Sequence, residues 1–214
     1  MVLKVSRKNS RPVATIVNKI HPAFSTPIYK DRIRIDKNVL NPILSDIDFK
    51  RIDTKDRWHS SNYKILDNDL AFLKDEVQSR IEDYAHNSLG MSRRHKLRIT
   101  DSWVMKHGRD DKSDMHWHPN SIISGVLYLQ TYKDCGNICF FREKNLFGDI
   151  LDFEFSDNDI NTRIIEVEPT DGMILLFPSK TLHGVNRSQT DVKRFCCAFN
   201  TWIEGDLDPP FRAK

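Results

Sequence analysis

The sequence contains no long hydrophobic run. None of its apolar stretches approaches the roughly 18 residues that a membrane-spanning helix needs, and no signal-peptide core follows Met1. We therefore expect a cytoplasmic protein without a membrane segment. Internal repeats and low-complexity segments are also missing, which argues against a repeat protein or a disordered chain.

The sequence also lacks a large excess of either basic or acidic residues. The 33 basic and 30 acidic residues leave a net charge of only +3, too balanced to indicate nucleic-acid binding. A small basic excess lies in residues 1–15, which we interpret as a flexible, solvated arm; a weak contact with nucleic acid or an acidic partner is the alternative. The oligomeric state has no signature in the sequence.

Cysteine is scarce. The four cysteines include no Cys-x-x-Cys pair, so a structural zinc site is disfavoured and buried, reduced thiols are expected. Cys196 and Cys197 are neighbours in an apolar stretch. Adjacent side chains of a strand point to opposite faces, so we expect these two thiols to lie on different sides of a sheet.

The patterns that are present divide the remaining residues, 16–214, into two parts of one domain. A helical support is expected at about 40–95, with a short helix near 42–47 and a longer one at 67–88 that ends by Gly90. Short apolar stretches separated by turns follow at about 97–205, around an acidic insert at 143–162. We predict a mainly β fold, a double-stranded β-helix (jelly roll) with N-terminal supporting helices. One or two short strands are predicted within 23–35, and further strands at 98–105, 124–131, 137–142, 164–167, 173–177, 182–185 and 195–202.

A His-x-His motif stands where a polar loop is expected to run into a strand. His116 and His118 are two residues apart, so an extended chain points both imidazoles to one face. His183 begins a later predicted strand that sheet closure could bring to the same place. Three ligands on one face leave three positions open on an octahedral ion, as oxygen chemistry requires. Imidazole suits iron, copper, zinc and nickel, so the ligands alone do not select the metal.

Arg194 lies in an apolar strand beyond the turn that follows His183, and we expect it on the neighbouring strand, deeper in the barrel. Burying a guanidinium without an anion is costly, which implies either a structural carboxylate or an anionic ligand. Asn200 and Trp202 share its face by even spacing. Lys106 is expected near the pocket rim.

Other polar residues receive weaker assignments. Ser124 shares a strand face with Tyr128 and is expected to line the site. The remaining histidines are interpreted as ordinary polar loop residues, among them His59, His86, His95 and His107.

Three segments together resemble the 2-oxoglutarate/Fe(II)-dependent oxygenases. They are Met115–Leu129 with its His-Trp-His-Pro-Asn-Ser sequence, Gly172–Val185 with its Phe-Pro-Ser and His183, and Arg194–Asn200. The likeness extends over about 97–202 and is greatest to a subfamily akin to prolyl 4-hydroxylases.

The resemblance implies Fe(II) as the metal, with 2-oxoglutarate and O₂ as co-substrates. It implies that His116, His118 and His183 form the catalytic metal site, although the family usually has a carboxylate where His118 stands. A second register, with His118 first and Asn120 in the carboxylate position, stays open.

The same resemblance implies that Arg194 holds the far carboxylate of 2-oxoglutarate and that Tyr128 hydrogen-bonds to it. From strand spacing alone, Asn200 is expected either to touch the substrate or a bound water or to make a hydrogen bond at the end of the sheet, and Ser124 is expected to line the cofactor site. The implied reaction is hydroxylation of an unactivated C–H bond in a small molecule or a peptide, with a prolyl residue as the leading candidate. Two alternatives remain: a three-histidine cupin-type dioxygenase that needs no 2-oxoglutarate, and a non-catalytic β-barrel binding module.

Overall fold

The computed structural model describes residues 25–52, 57–142 and 162–205, so the predicted arm and nearly all of the acidic insert lie outside the described residues. The predicted order of a helical part followed by a β-rich part is confirmed. Two α-helices, α1 (Lys37–Asp46) and α2 (Lys74–Glu82), precede most of the strands. The described strands are β1 Tyr29–Arg32, β2 Phe49–Ile52, β3 Arg57–Ser60, β4 Lys96–His107, β5 Ser113–His116, β6 Ile123–Gln130, β7 Ile138–Phe141, β8 Ile164–Val167, β9 Met173–Pro178, β10 His183–Val185 and β11 Arg194–Glu204.

The strands form two antiparallel sheets. The larger sheet has the order β1-β9-β6-β11-β4-β3-β2, and the smaller has the order β5-β10-β7-β8. Apolar side chains of both sheets meet between them, for example Phe140 of β7 against Phe177 of β9 with ring centroids 5.1 Å apart. This is the predicted jelly-roll arrangement, with an inner face between the sheets and an outer face on the larger sheet.

Strict alternation along the larger sheet separates the two faces. On β6, Val126 and Tyr128 pack between the sheets, whereas Leu127 and Leu129 are fully buried under the helices. Cys196 and Cys197 follow the same rule: both are buried free thiols, the first on the inner face and the second on the outer. Burial of each aliphatic side chain contributes about 1.5–3 kcal/mol to the free energy of folding. A charged residue at Leu127 would lose this contribution and would strongly destabilise the contact between the sheet and the helices.

The helical support differs in detail from its prediction. The helix expected from residue 67 begins instead as two 3₁₀ turns, Ile65–Asp67 and Ala71–Leu73, before α2 and a wider π-helical segment, Asp83–Ser88. The backbone N–H of Leu66 donates to Ser102 Oγ of β4 at 3.0 Å. This tertiary contact fixes the first turn against the sheet, so local helix propensity does not decide its form.

The predicted position of Lys106 near the pocket rim is wrong, because this residue lies on the outer face of the larger sheet. Lys106 does not lie at the site: its Nζ is 4.3 Å from the ring centroid of Phe49 and 4.9 Å from that of Trp58. Those rings belong to β2 and β3, the last two strands at one side of the larger sheet, which were not predicted from the sequence. Among the described residues, no helix is long and apolar enough to cross a lipid bilayer.

Candidate active site

Three histidines converge at one edge of the smaller sheet. His116 ends β5 and His183 begins β10, and the two residues are direct cross-strand partners. His118 follows in the loop after β5, so the strand leads into the loop rather than the loop into the strand as predicted. One nitrogen from each of these histidines lies within 4.8 Å of the other two. Of the three, His183 is buried and the other two reach solvent.

Backbone constraints hold the loop that carries His118. Pro119 restricts the residue before it to an extended conformation, and Asn120 takes the left-handed conformation with φ 55°. The backbone N–H of His118 donates to the carbonyl of Ser179 at 2.9 Å. Asn120 is thus a turn residue on the exposed side of the loop, which favours the register that uses His116 and His118.

Hydrogen bonds set which nitrogen each imidazole offers. Nδ1 of His116 lies 2.7 Å from the carbonyl of Asp114, and Nδ1 of His183 lies 2.9 Å from the carbonyl of Thr181. A carbonyl only accepts, so both Nδ1 atoms carry the proton and both Nε2 lone pairs are available. Nε2 of His118 lies 3.3 Å from Nε2 of His183. Two ligands at right angles on an ion with bonds of about 2.1 Å are about 3 Å apart, so the donor set fits a single metal ion.

Burial keeps two of these imidazoles neutral. Burial, followed by the neighbouring His116, lowers the pKa of His118 to about 4, against an opposing effect of Asp101. Burial is also the main cause that lowers the pKa of His183 to about 3, while its hydrogen bond to Thr181 acts in the opposite direction. Both are therefore unprotonated at neutral pH, which is the state that binds a metal.

Arg194 reaches the inner face from the other sheet. It begins β11, which pairs with β4 and β6, whereas His183 lies in β10 between β5 and β7. The expected hairpin between neighbouring strands is therefore wrong, because the chain crosses between sheets after β10. The result is still a guanidinium behind the histidines, and its residue is only 1% exposed.

The contacts of Arg194 in the described chain include no carboxylate. Nη1 donates to the carbonyl of Gly136 at 3.1 Å, Nη2 lies 2.6 Å from Nδ1 of His107, and the guanidinium carbon is 5.7 Å from the ring centroid of Tyr128. Its buried Nε has no acceptor among the described residues. Burial raises the pKa of Tyr128, with Arg194 opposing in part, so its phenol stays protonated.

Asn200 and Ser124 belong to a buried polar chain. Ser124 Oγ donates to Asn200 Oδ1 at 2.7 Å, and Asn200 Nδ2 donates to Asp101 at 2.8 Å. Ser124 Oγ also lies 2.8 Å from Ser179 Oγ. The carbonyl of Ser179 accepts the hydrogen bond from the backbone N–H of His118. Ser124 and Asn200 therefore connect the larger sheet, through Ser179, to the loop that carries His118.

Sequence reasoning missed an aromatic group beside the histidines. Trp103 of β4 lies 6.3 Å from the His118 ring, and His59 and Tyr63 lie 6.1 and 5.9 Å from Trp103. We call His59, Tyr63 and Trp103 the aromatic wall. The buried indole N–H of Trp103 has no acceptor among the described residues. Alternation along β4 would have placed Trp103 on the inner face, but no motif marks it.

A family model matches the part of the chain that carries the three histidines. Residues 101–200 match the model of a family described as "Putative 2OG-Fe(II) oxygenase". This part, slightly less than half of the chain, is similar to the 2OG-Fe(II) oxygenases. The match spans all three histidines, Arg194 and Tyr128, so the resemblance recognised in the sequence is confirmed at the family level. No curated protein matches the chain.

Solved structures of 2OG oxygenases share the fold. An oxygenase of this family from Burkholderia pseudomallei has a TM-score of 0.55 at 13% identity, with 76% of each chain covered. HygX from Streptomyces hygroscopicus, solved with nickel and 2-oxoglutarate, has a TM-score of 0.58 at 12% identity, with 82% of each chain covered. A Pseudomonas putida prolyl-4-hydroxylase has a TM-score of 0.53 at 13% identity, covering 85% of this chain and 95% of its own.

Proposed function

We propose that His116, His118 and His183 hold Fe(II) and that Arg194 anchors 2-oxoglutarate beside it. The observation that carries the proposal is the pairing of three converging imidazoles with a buried guanidinium that has no carboxylate partner in the described chain. Bound iron would couple the oxidation of 2-oxoglutarate to succinate and CO₂ with the insertion of one oxygen atom of O₂ into a C–H bond.

The charges of the two groups support a dianionic co-substrate. Three neutral imidazoles leave the charge of a ferrous ion at +2, and Arg194 adds a further positive charge. A keto acid with a carboxylate at each end matches both charges. The protonated phenol of Tyr128 lies next to the guanidinium and would donate a second hydrogen bond to the far carboxylate.

We propose hydroxylation of an unactivated C–H bond, in a peptide or a small molecule, as the specific reaction. The aromatic wall borders His118 on one side, and Tyr63 is 47% exposed there. This wall would pack against the carbon skeleton of the substrate, while the indole N–H of Trp103 would donate to one of its oxygen atoms. A prolyl residue offers both an aliphatic ring and a carbonyl, and it is our leading candidate.

Two measurements test the proposal. Fe(II) added to the anaerobic protein with 2-oxoglutarate should produce a metal-to-ligand charge-transfer band, and aerobic turnover should yield succinate only when iron is present. A protein that retains no stoichiometric metal would contradict the proposal and would favour a binding module. Substrate oxidation that survives complete removal of 2-oxoglutarate would favour a three-histidine dioxygenase, the alternative suggested by the imidazole of His118.

A further inference from the structure

His107 is the direct neighbour of the buried arginine. It ends β4, is completely buried, and is the cross-strand partner of Arg194. Its Nδ1 lies 2.6 Å from Nη2 of Arg194. A guanidinium has only donors, so Nδ1 must offer a lone pair. His107 is therefore neutral, with its proton on Nε2, and it contributes no charge to the pair.

The second acceptor for Arg194 is also neutral. Gly136 accepts from Nη1 with its backbone carbonyl and has φ +88°, a conformation that side chains with a Cβ rarely adopt. A Cβ on Gly136 would lie 2.4 Å from the carbonyl oxygen of Asn186, so the turn that presents this carbonyl requires glycine. The third contact, the Tyr128 ring, is neutral too.

The guanidinium is thus held in place by neutral groups, and its described contacts include no carboxylate. Proteins usually pair a buried arginine with a carboxylate, because an unpaired buried charge is costly. Here a carboxylate at position 107 would form a permanent internal ion pair and compete with any incoming anion. Two neutral acceptors, His107 and the carbonyl of Gly136, hold one nitrogen each, and the Nε–H is left without an acceptor in the described chain.

We propose that His107 is a positioning residue that orients Arg194 for the far carboxylate of 2-oxoglutarate without neutralising it. The inference rests on the proposed function, in which Arg194 binds that carboxylate. His107 would thus contribute to co-substrate affinity, although none of its described contacts is with the proposed metal ligands. From the sequence it was interpreted only as a loop residue.

Three substitutions at one position separate orientation from charge. His107→Asn keeps a neutral acceptor near the place of Nδ1, His107→Leu removes the acceptor, and His107→Asp introduces a competing carboxylate. The binding of N-oxalylglycine to the Mn(II)-loaded protein, measured by calorimetry, should weaken about 3-fold, about 10-fold and at least about 100-fold in that order.

Thermal unfolding of the metal-free variants supplies the readout that distinguishes the proposal from a structural role. The aspartate variant should unfold at a temperature equal to or above that of the leucine variant, because its carboxylate pairs with Arg194, yet it should bind N-oxalylglycine less tightly. If affinity simply follows stability across the three variants, or if the aspartate variant binds as well as the asparagine variant, the proposal is wrong.

Controls keep this outcome distinct from a failure of the proposed function. His95→Asp introduces the same charge just before the opposite end of β4 and should leave affinity unchanged. Arg194→Met tests the anchor itself. Normal affinity in Arg194→Met would overturn the proposed co-substrate site, whereas lost affinity there combined with normal affinity in His107→Asp would overturn only the role of His107.

Discussion

The histidine end and the arginine end of the inner face are built in opposite ways. The histidine end lies at the edge of the smaller sheet, and His116 and His118 reach solvent. The arginine end lies on the larger sheet, where Arg194, His107 and Tyr128 are all buried. In the proposed function, the histidine end would offer nitrogen lone pairs to a cation and the arginine end would offer a positive charge to an anion.

The proposed roles of the two ends, metal binding and carboxylate binding, explain this difference. A metal site for oxygen chemistry needs open coordination positions, so its ligands belong where O₂ and a substrate can arrive. An anchor for a carboxylate gains strength when water is excluded, because electrostatic attraction rises in a low dielectric. The account therefore predicts that the two ends can be disabled separately.

Removing the central histidine should have the largest effect. His183→Ala takes away the buried ligand that contacts both other histidines, so we expect stoichiometric Fe(II) binding to disappear and succinate formation to fall at least about 1000-fold. Metal analysis after dialysis and a succinate assay measure the two losses. A variant that retains iron and turnover would show that His183 is not a ligand.

Replacing Arg194 should weaken co-substrate binding but leave Fe(II) binding intact. Arg194→Met removes the charge but keeps an unbranched apolar side chain, and we expect the dissociation constant of 2-oxoglutarate to rise at least about 100-fold. Fe(II) binding measured without co-substrate should stay within about twofold. Loss of metal in this variant would mean that the two ends are not independent.

Replacing the unusual ligand should have a moderate effect. His118→Asp restores the carboxylate that the family usually has, and we expect Fe(II) to be retained with turnover within about tenfold of the parent. Asn120→Gly is the matched control, since glycine accepts the left-handed conformation and should leave metal affinity unchanged. Loss of iron in the Asn120 variant would select the other register, in which His118 is the first ligand and Asn120 fills the carboxylate position.

Acid should destabilise the metal-free protein through the histidine end. The folded pKa values of His118 and His183, about 4 and about 3, lie below the usual value near 6.5 of an unfolded chain. The unfolded state therefore binds more protons as the pH falls below 6.5, and stability decreases from there towards pH 3–4. We expect a loss of about 2–4 kcal/mol between pH 7 and pH 5.

Chemical denaturation at several pH values measures that loss. The double variant His118→Gln, His183→Gln should show a flatter dependence, because neither glutamine titrates. An equally steep decrease in the double variant would assign the effect to other groups.

Much of the fold was predictable because alternation is a local property. The pattern around Val126 and Tyr128 placed β6 and its inner face correctly, and the position of Cys196 and Cys197 on opposite faces followed from the same rule. Strands β2 and β3 were missed, because β3 forms by pairing with β4 and β2 by pairing with β3, rather than from an apolar pattern of their own.

The candidate site was predictable only where a motif marks it. The His-x-His pair and His183 were found by spacing, and their convergence is confirmed. His107 was interpreted as a loop residue because its role depends on its cross-strand partner, which lies 87 positions away. Trp103 was missed for the same reason: its position beside His118 arises from the packing of two sheets, which no local pattern encodes.

A crystal structure with Mn(II) and N-oxalylglycine would test the central claim most directly. We expect one Mn(II) ion bound by nitrogens of His116, His118 and His183, with the far carboxylate of N-oxalylglycine on the guanidinium of Arg194. A metal bound elsewhere, or an analogue whose carboxylate avoids Arg194, would contradict the account.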